Sequence, residues 1–231
     1  GVTVVHEGDF VGVAAPDELT AARAIDAIRP RWQPELQISQ PELFDYLKAS
    51  AIEKERQRPP DAPADGRIGP YFSAVGDVTQ ALAAAHATMH ERYTTEYIAH
   101  APLEPRAALA RWDADDKLTV WTGTQRPFGV RSELMATFGL TAAQVRVIVP
   151  ATGAGYGGKH AGDAAREAAR LAKAVGRPVK VVWTRQEEFT WAYFRPAALI
   201  EIASGIDAQG RLIAWEMTNY NAGAAGIEPF Y

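Results

Sequence analysis

The sequence predicts an α/β fold, strictly α+β with mixed sheets, and three observations carry that reading. An apolar β-branched run, Val145-Arg-Val-Ile-Val149, leads through a glycine-rich loop, Gly153-Ala-Gly-Tyr-Gly-Gly-Lys159, into an alanine-rich run over 161–175. Two hairpin patterns lie upstream, at 3–15 and 107–122. Two long strand-like runs, 197–206 and 211–221, close the chain around Asp207-Ala-Gln-Gly210. Strand, loop and helix in succession signal α/β packing, and the hairpins add antiparallel pairing. The 231 residues are 47% hydrophobic and 10% aromatic, enough to build the core of one large domain or one and a half.

The elements follow in order. Residues 3–15 form a hairpin that turns at Gly8-Asp9. Asp17 is placed to cap a helix over 18–28, with Ala21, Ile25 and Ile28 on one face. A second helix over 41–55 has Leu43, Leu47 and Ala51 four residues apart. Arg56-Gln-Arg-Pro-Pro-Asp-Ala-Pro-Ala-Asp-Gly66 is a proline-rich, charged linker and the best candidate for a mobile connection. A helix is expected over 77–85 and a strand over 89–99, where Tyr93, Thr95, Tyr97 and Ala99 alternate with polar neighbours. Strands over 107–112 and 118–122 flank Asp113-Ala-Asp-Asp116, and a helix follows over 129–138. After the glycine loop and its helix, Gly176-Arg-Pro178 turns the chain into a strand over 179–183.

Composition narrows the function. Net charge is −4 with no basic stripe, which argues against a nucleic-acid partner. No apolar run reaches the ~18 residues of a membrane span. With no cysteine, these residues hold no disulfide and no thiolate-ligated iron–sulfur cluster. His86 and His90 are four apart but straddle a helix end, so a zinc pair is not expected and no metal ligand is assigned.

Gly153, Gly155, Gly157 and Gly158 let backbone N–H groups come close to an anionic or polar ligand. Gly153, Gly155 and Gly158 fit the dinucleotide fingerprint, but an acidic residue about 20 positions on is missing. Gly153, Gly158 and Lys159 nearly fit a phosphate-binding Walker loop, but His160 stands where a hydroxyl should meet Mg²⁺. A nucleotide- or phosphate-binding module remains the alternative reading, and a structural glycine turn the plain one.

Other motifs accompany the loop: Glu96-Tyr-Ile-Ala-His-Ala-Pro-Leu-Glu-Pro-Arg106, Val120-Trp-Thr-Gly-Thr-Gln-Arg-Pro-Phe128, Val182-Trp-Thr-Arg-Gln-Glu-Glu-Phe189 and Phe194-Arg-Pro196. In this order and spacing the chain resembles the molybdopterin-binding large subunit of the xanthine dehydrogenase/aldehyde oxidase family. Its wording is nearest the branch of isoquinoline 1-oxidoreductase beta subunits and nicotinate dehydrogenase large subunits. The resemblance implies a molybdenum hydroxylase that oxidises aldehydes or N-heterocycles with water-derived oxygen. It implies a molybdenum-pterin cofactor, as molybdopterin or its cytosine dinucleotide form. It also implies a separate iron–sulfur subunit, in some members followed by a cytochrome.

By the same resemblance Gln125 lies beside the oxo group, the backbone N–H groups of Tyr156 and Gly157 face the cofactor, and Gly155 and Gly158 belong to the same cofactor-binding loop. Tyr156 stands where the family more often has Phe. His160 replaces a Glu that purine-oxidising members use on substrate, so the substrate pocket is expected to favour aldehydes or N-heterocycles over purines. Family subunits run to several hundred residues and place their general-base Glu near the C-terminus. The chain is therefore expected to be an internal piece, inactive alone, with that Glu beyond residue 231. Residues 1–33 would end a hammerhead-like α/β domain, 34–76 would hold a helix and linker, and 77–231 would begin the cofactor domain.

Judged without the resemblance, several of these residues have plainer roles. Gln125 at a strand end could be a capping amide, and Lys159 a solvated lysine that opposes a helix dipole. His160 could be a surface cap. Arg185, Glu187 and Glu188 suit a loop salt-bridge network, and Glu96, Glu104 and Arg106 a structural ion pair. Trp121, Trp183, Trp191 and Trp215 suit core or interface anchors.

Overall fold

The computed structural model describes residues 1–57 and 73–223. Most of the proline-rich linker lies outside the described residues. The chain divides into two compact units, residues 1–33 with 99–194, and residues 34–98 with 195–231.

The first unit opens with an antiparallel hairpin, Thr3–Glu7 (β1) and Phe10–Ala14 (β2), followed by helix α1 (Glu18–Ala27). Asp17 caps α1 by accepting from the Thr20 N–H. The hairpin packs on a later helix, α5 (Asp163–Val175), where Arg170 lies over the Phe10 ring. The unit's main sheet has four strands: β4 (Ala107–Trp112), β5 (Leu118–Thr122), β6 (Val145–Ile148) and β7 (Val179–Val182). Their spatial order is β6-β5-β4-β7. Among the described residues only β5 and β6 pair in parallel, through the crossover helix α4 (Pro127–Phe138).

That crossover fixes the location of the site. Two neighbouring parallel strands end on the same side of the sheet, so the loops after β5 and after β6 emerge together. Gln125 lies in the first loop and Gly153 to Lys159 in the second. The core beneath is formed by Ala108, Ala110, Leu118, Val120, Val130, Leu134 and Val145 with the alanine face of α5. Ala164, Ala165, Ala168, Ala169 and Ala172 are buried, and their small side chains let α5 lie close on β4. Both α4 and α5 end at glycines in the left-handed conformation, Gly139 and Gly176, at positive φ that a Cβ disfavours.

The second unit is built on an antiparallel sheet of β3 (Ala87–Thr95), β8 (Ala198–Ile206) and β9 (Leu212–Asn221), in the order β3-β8-β9. Helix α2 (Leu43–Arg56), led by a short 3₁₀ turn, packs against β8 and β9, as does α3 (Val78–Ala83). The Lys48–Glu201 ion pair, 2.7 Å, joins α2 to β8.

Three expectations need correction. The strand expected over 89–99 is β3, and it stops at Thr95. The helix expected from 161 begins at Asp163, because Gly162 forms its N-cap. Residues 185–190 form a helix, α6 (Arg185–Thr190), where a loop was expected. Of the four tryptophans read as core or interface anchors, Trp183 lies in the core, and Trp191 and Trp215 are exposed.

Candidate functional site

The glycine loop is a tightly tied segment. Gly153 donates its N–H to Glu104 Oε2 at 2.7 Å, and Ala154 to the Thr152 carbonyl at 3.1 Å. Gly157 and Lys159 both donate to Gln125 Oε1, at 2.9 and 3.3 Å. Gly158 donates to the Gly155 carbonyl at 2.7 Å. A phosphate cradle needs these donors aimed outward at the anion. Here they are spent on the protein, which counts against the nucleotide-binding alternative.

The glycines divide two tasks. Gly157, at φ +92°, supplies a conformation that side chains rarely adopt. Gly155 and Gly158 supply space instead. A Cβ on Gly155 would sit 2.5 Å from Gln125 Oε1, and one on Gly158 2.8 Å from His100 Cβ. Ala154 and Tyr156 take positive φ as well, 72° and 56°, although neither is glycine. Two left-handed non-glycine residues in one loop cost on the order of 1 kcal/mol or more each, and such strain concentrates at functional sites. The Tyr156 side chain is exposed.

Gln125 is tied into this loop from both its backbone and its side chain. Its N–H donates to the Lys159 carbonyl at 2.9 Å, beside the Thr124 hydroxyl at 3.0 Å. Because Oε1 accepts two N–H groups, the orientation of the amide follows from the bonding pattern. The remaining capacity of this exposed residue is the pair of N–H donors on Nε2.

Lys159 is not the solvated lysine expected. It is 2% exposed, and Nζ donates to Glu104 Oε2 at 2.6 Å. Helix α5 starts four residues later, so no dipole opposes it. Glu104 Oε2 thus accepts from both ends of the loop, Gly153 and Lys159, and these bonds, the lysine's foremost, hold its carboxyl below the usual range. The anionic partner that the lysine's placement implied is inside the protein.

His160 is also buried, at 6% exposure, so it is no surface cap. Burial, and then the nearby Arg126, lower its pKa and keep the imidazole neutral near pH 7. His100 lies against the loop from the other side, and its ring meets the Tyr193 ring edge-on at 5.2 Å. Its pKa is likewise lowered, first by burial and then by Arg106. The Tyr193 hydroxyl donates to the Gly157 carbonyl.

The charged residues regroup relative to expectation. Glu188 is buried and pairs with Arg106, not with Arg185, at 2.5 Å. Glu187 caps its own helix, accepting from the Thr184 N–H and hydroxyl. Arg185 donates to the carbonyls of Pro102 and Leu103, which steadies the segment that carries Glu104 and Arg106. Glu96 bonds Gln40 in the other unit's own structure. Sequence reasoning did not place His100, Glu104, Arg106, Glu188 or Tyr193 around the loop. Thr184-Arg-Gln-Glu187 is a capping-box pattern and could have revealed α6. Nothing local could have paired Arg106 with a residue 82 positions away.

A glycine loop and a bonded glutamine at the carboxyl ends of two parallel strands define a ligand-binding α/β domain. The chain matches the model of the molybdopterin cofactor-binding domain over residues 64–229. It is 32% identical to a nicotinate dehydrogenase subunit from Pseudomonas putida over 225 residues, which is 97% of this chain and 18% of that protein. It is 33% identical to the aldehyde oxidoreductase molybdenum-binding subunit PaoC of Escherichia coli K12 over 185 residues, 80% of this chain and 24% of that one. The chain therefore belongs to the molybdopterin cofactor-binding domain family.

Among solved structures, quinoline 2-oxidoreductase from Pseudomonas putida 86 matches with a TM-score of 0.70 and 24% identity, over 91% of this chain and 27% of that one. CO dehydrogenase from Oligotropha carboxidovorans matches with a TM-score of 0.70 and 22% identity, over 90% and 27%. At these identities the likeness is one of fold, and it bears out the mixed α/β reading. The chain spans 18% and 24% of the two curated relatives' lengths. Among the described residues no helix is long and apolar enough to cross a membrane.

Proposed function

We propose that this chain forms the cofactor-facing part of a molybdenum hydroxylase that oxidises aldehydes or N-heterocycles. The observation that carries the reading is the Gln125 amide, whose oxygen is taken by the Gly157 and Lys159 N–H groups. Such an amide can offer only donors to a ligand. A molybdenum-pterin centre presents oxo and pterin oxygens, which accept hydrogen bonds, so the donor set fits the group. Gly155 and Gly158 keep that donor set in place, because a Cβ at either would push into Gln125 or His100.

When bound, the cofactor, as molybdopterin or its cytosine dinucleotide form, would supply a Lewis-acidic metal that activates water and accepts electrons from the substrate carbon. The residues of this chain do the positioning. Gln125 would donate toward the oxo group, and the Gly155 to Gly158 segment would hold that amide in place, the Gly157 N–H being spent on Gln125 Oε1 and not facing the cofactor. Glu104 and Lys159 keep the loop closed beneath it. In this reading His160, neutral and buried, belongs to the wall of the substrate pocket. An imidazole cannot reproduce a carboxylate that accepts from a purine N–H, which favours aldehydes and N-heterocycles. The names of the two relatives, a nicotinate dehydrogenase and an aldehyde oxidoreductase, support both substrate classes.

In this reading the general-base Glu belongs to a part of the enzyme beyond residue 231. We further propose, from the family resemblance, that the electrons pass to a separate iron–sulfur subunit and in some assemblies then to a cytochrome; that a relative is named as one subunit of a nicotinate dehydrogenase supports a multi-subunit enzyme. Gln125→Glu in the full-length enzyme tests the central point, since it keeps shape and acceptors but removes both donors. Turnover should fall about a hundredfold, the scale of losing a preorganised donor, with expression unchanged. Unchanged turnover at full molybdenum content would sink the assignment.

A further inference from the structure

The peptide bond between Gly158 and Lys159 is gripped from both sides. Its N–H donates to Gln125 Oε1 at 3.3 Å, and its carbonyl accepts from a terminal guanidinium nitrogen of Arg106. The N–H and C=O of a trans peptide point in opposite directions, so holding one aims the other. The grip has something to hold against, because the bond follows two glycines, Gly157 and Gly158, whose backbones carry no Cβ to restrict them.

Arg106 is itself set firmly. It is 4% exposed, its other terminal nitrogen donates to Glu188 Oε2 at 2.5 Å, and its backbone N–H donates to Glu188 Oε1 at 2.5 Å. Its guanidinium lies 5.2 Å from the centre of the Trp183 ring, and Trp183 in turn donates to Glu167 at 2.8 Å. The Nε atom of Arg106 is buried without a hydrogen-bond partner. Leaving a donor unpaired costs about 1–3 kcal/mol, so the fork is oriented for its two ends rather than for full satisfaction. A buried ion pair is also a poor source of stability, because apolar residues of similar size often do as well. Its distinctive property is direction: a planar fork binds a carboxylate with one arm and a carbonyl with the other.

We infer that Arg106, held by Glu188, is a positioning residue for Gln125 and acts through the Gly158–Lys159 peptide. The guanidinium turns the carbonyl toward itself, the N–H turns toward Gln125, and the amide of Gln125 is left with its donors free. Arg106 touches neither substrate nor cofactor in this scheme. The inference rests on the proposal that Gln125 donates to the cofactor.

The test uses the full-length holoenzyme and the variant pair Arg106→Met with Glu188→Gln, which leaves no buried charge alone. Hydrogen exchange of the peptide covering 153–160 should quicken at least about tenfold, while the rest of the unit keeps its protection. Molybdenum per chain should be retained, and kcat should fall on the order of tenfold to a hundredfold with KM unchanged. Adding Gln125→Ala should cost nothing further, because both changes remove one interaction. A merely structural role predicts instead that exchange quickens throughout the unit and that the two losses multiply. Either result overturns the inference, as does unchanged loop exchange in a folded variant. Should the double variant fail to fold, Arg106→Lys, which keeps the charge but loses the fork, must show the same local exchange and the same lack of additivity. If Gln125→Ala alone leaves turnover intact while the Arg106 variant still loosens the loop, the cofactor reading fails and the Arg106–Gln125 coupling stands.

Discussion

The two compact units keep their charges in different places. In the unit of residues 1–33 and 99–194, Arg106, Lys159 and Glu188 are all buried. In the unit of residues 34–98 and 195–231, the ion pairs are open to water: Lys48 and Glu201 have side chains 40% and 33% exposed, and Arg92 and Asp45 49% and 83%. Burying ionic groups is expensive, and exposing them is not. The first unit carries this expense around one loop, and each buried charge there touches the loop or a residue that does. The second unit uses charge as a solvated fringe on a sheet. Concentrated buried charge therefore marks the site more sharply than any single residue does.

The largest effect should come from splitting the buried pair. Glu188→Ala leaves Arg106 charged and without its carboxylate, and about 3–5 kcal/mol of stability should be lost. Lys48→Ala, which opens the solvated pair, should leave the unfolding midpoint within experimental error. Chemical denaturation followed by tryptophan fluorescence compares them, and similar losses would erase the contrast between the units.

Two glycine substitutions sharpen the same comparison. An added Cβ at Gly155 meets Gln125 Oε1 at 2.5 Å and the amide carbon at 2.9 Å, so Gly155→Ala must displace the Gln125 amide. Molybdenum content or turnover of the full-length enzyme should drop about tenfold or more, with stability little changed. Gly210, in the turn between β8 and β9, has φ +76° and nothing within 4 Å of an added Cβ. There Gly210→Ala should cost about 1–2 kcal/mol of stability through backbone strain and leave molybdenum content alone. The reverse pattern would put the functional loop in the wrong unit.

A smaller effect should appear in the pH dependence of the loop. The carboxyl of Glu104 is held below its ordinary range, first by Lys159. A lowered folded pKa gives stabilisation that is complete above the unfolded value and lost as pH falls through the folded one. Exchange of the 153–159 amides, corrected for its intrinsic pH dependence, should stay slow at pH 5 and quicken only below the ordinary glutamate range. Glu104→Gln should remove that step, and a variant that kept it would assign the transition to another group.

What the sequence made legible follows a physical line. Local periodicity and turn chemistry place the hairpin strands 107–112 and 118–122 and the long strands that close the chain, because each is set by residues near in sequence. The glycine loop and Gln125 stand out as motifs, and adjacent parallel strands bring them together. The Arg106–Glu188 pair was illegible because pairing over 82 residues is decided by packing. Lys159 misled for the same reason: a lysine next to a helix reads as solvated until Glu104 is known to lie beside it. Helix α6 was a plainer omission, since Thr184 and Glu187 carry its start signal openly.

The smallest predicted effect probes a half-buried acid that lies off the loop. Glu167, on α5, accepts from Trp183 Nε1 at 2.8 Å, and burial raises its carboxyl pKa despite that bond. A raised folded pKa gives stability that is complete below the unfolded value, about 4.3, and lost as pH rises through the folded one. Above that point the protein holds a carboxylate in a place that disfavours charge. Glu167→Gln keeps an acceptor for Trp183 and removes the charge. Its Tm should therefore rise by up to about 2–4 °C at pH 8 and stay level with the parent at pH 4. A loss at both values would mean that Trp183 needs a charged acceptor. In that case the buried charge around Arg106 would reach one residue further, from the loop to α5.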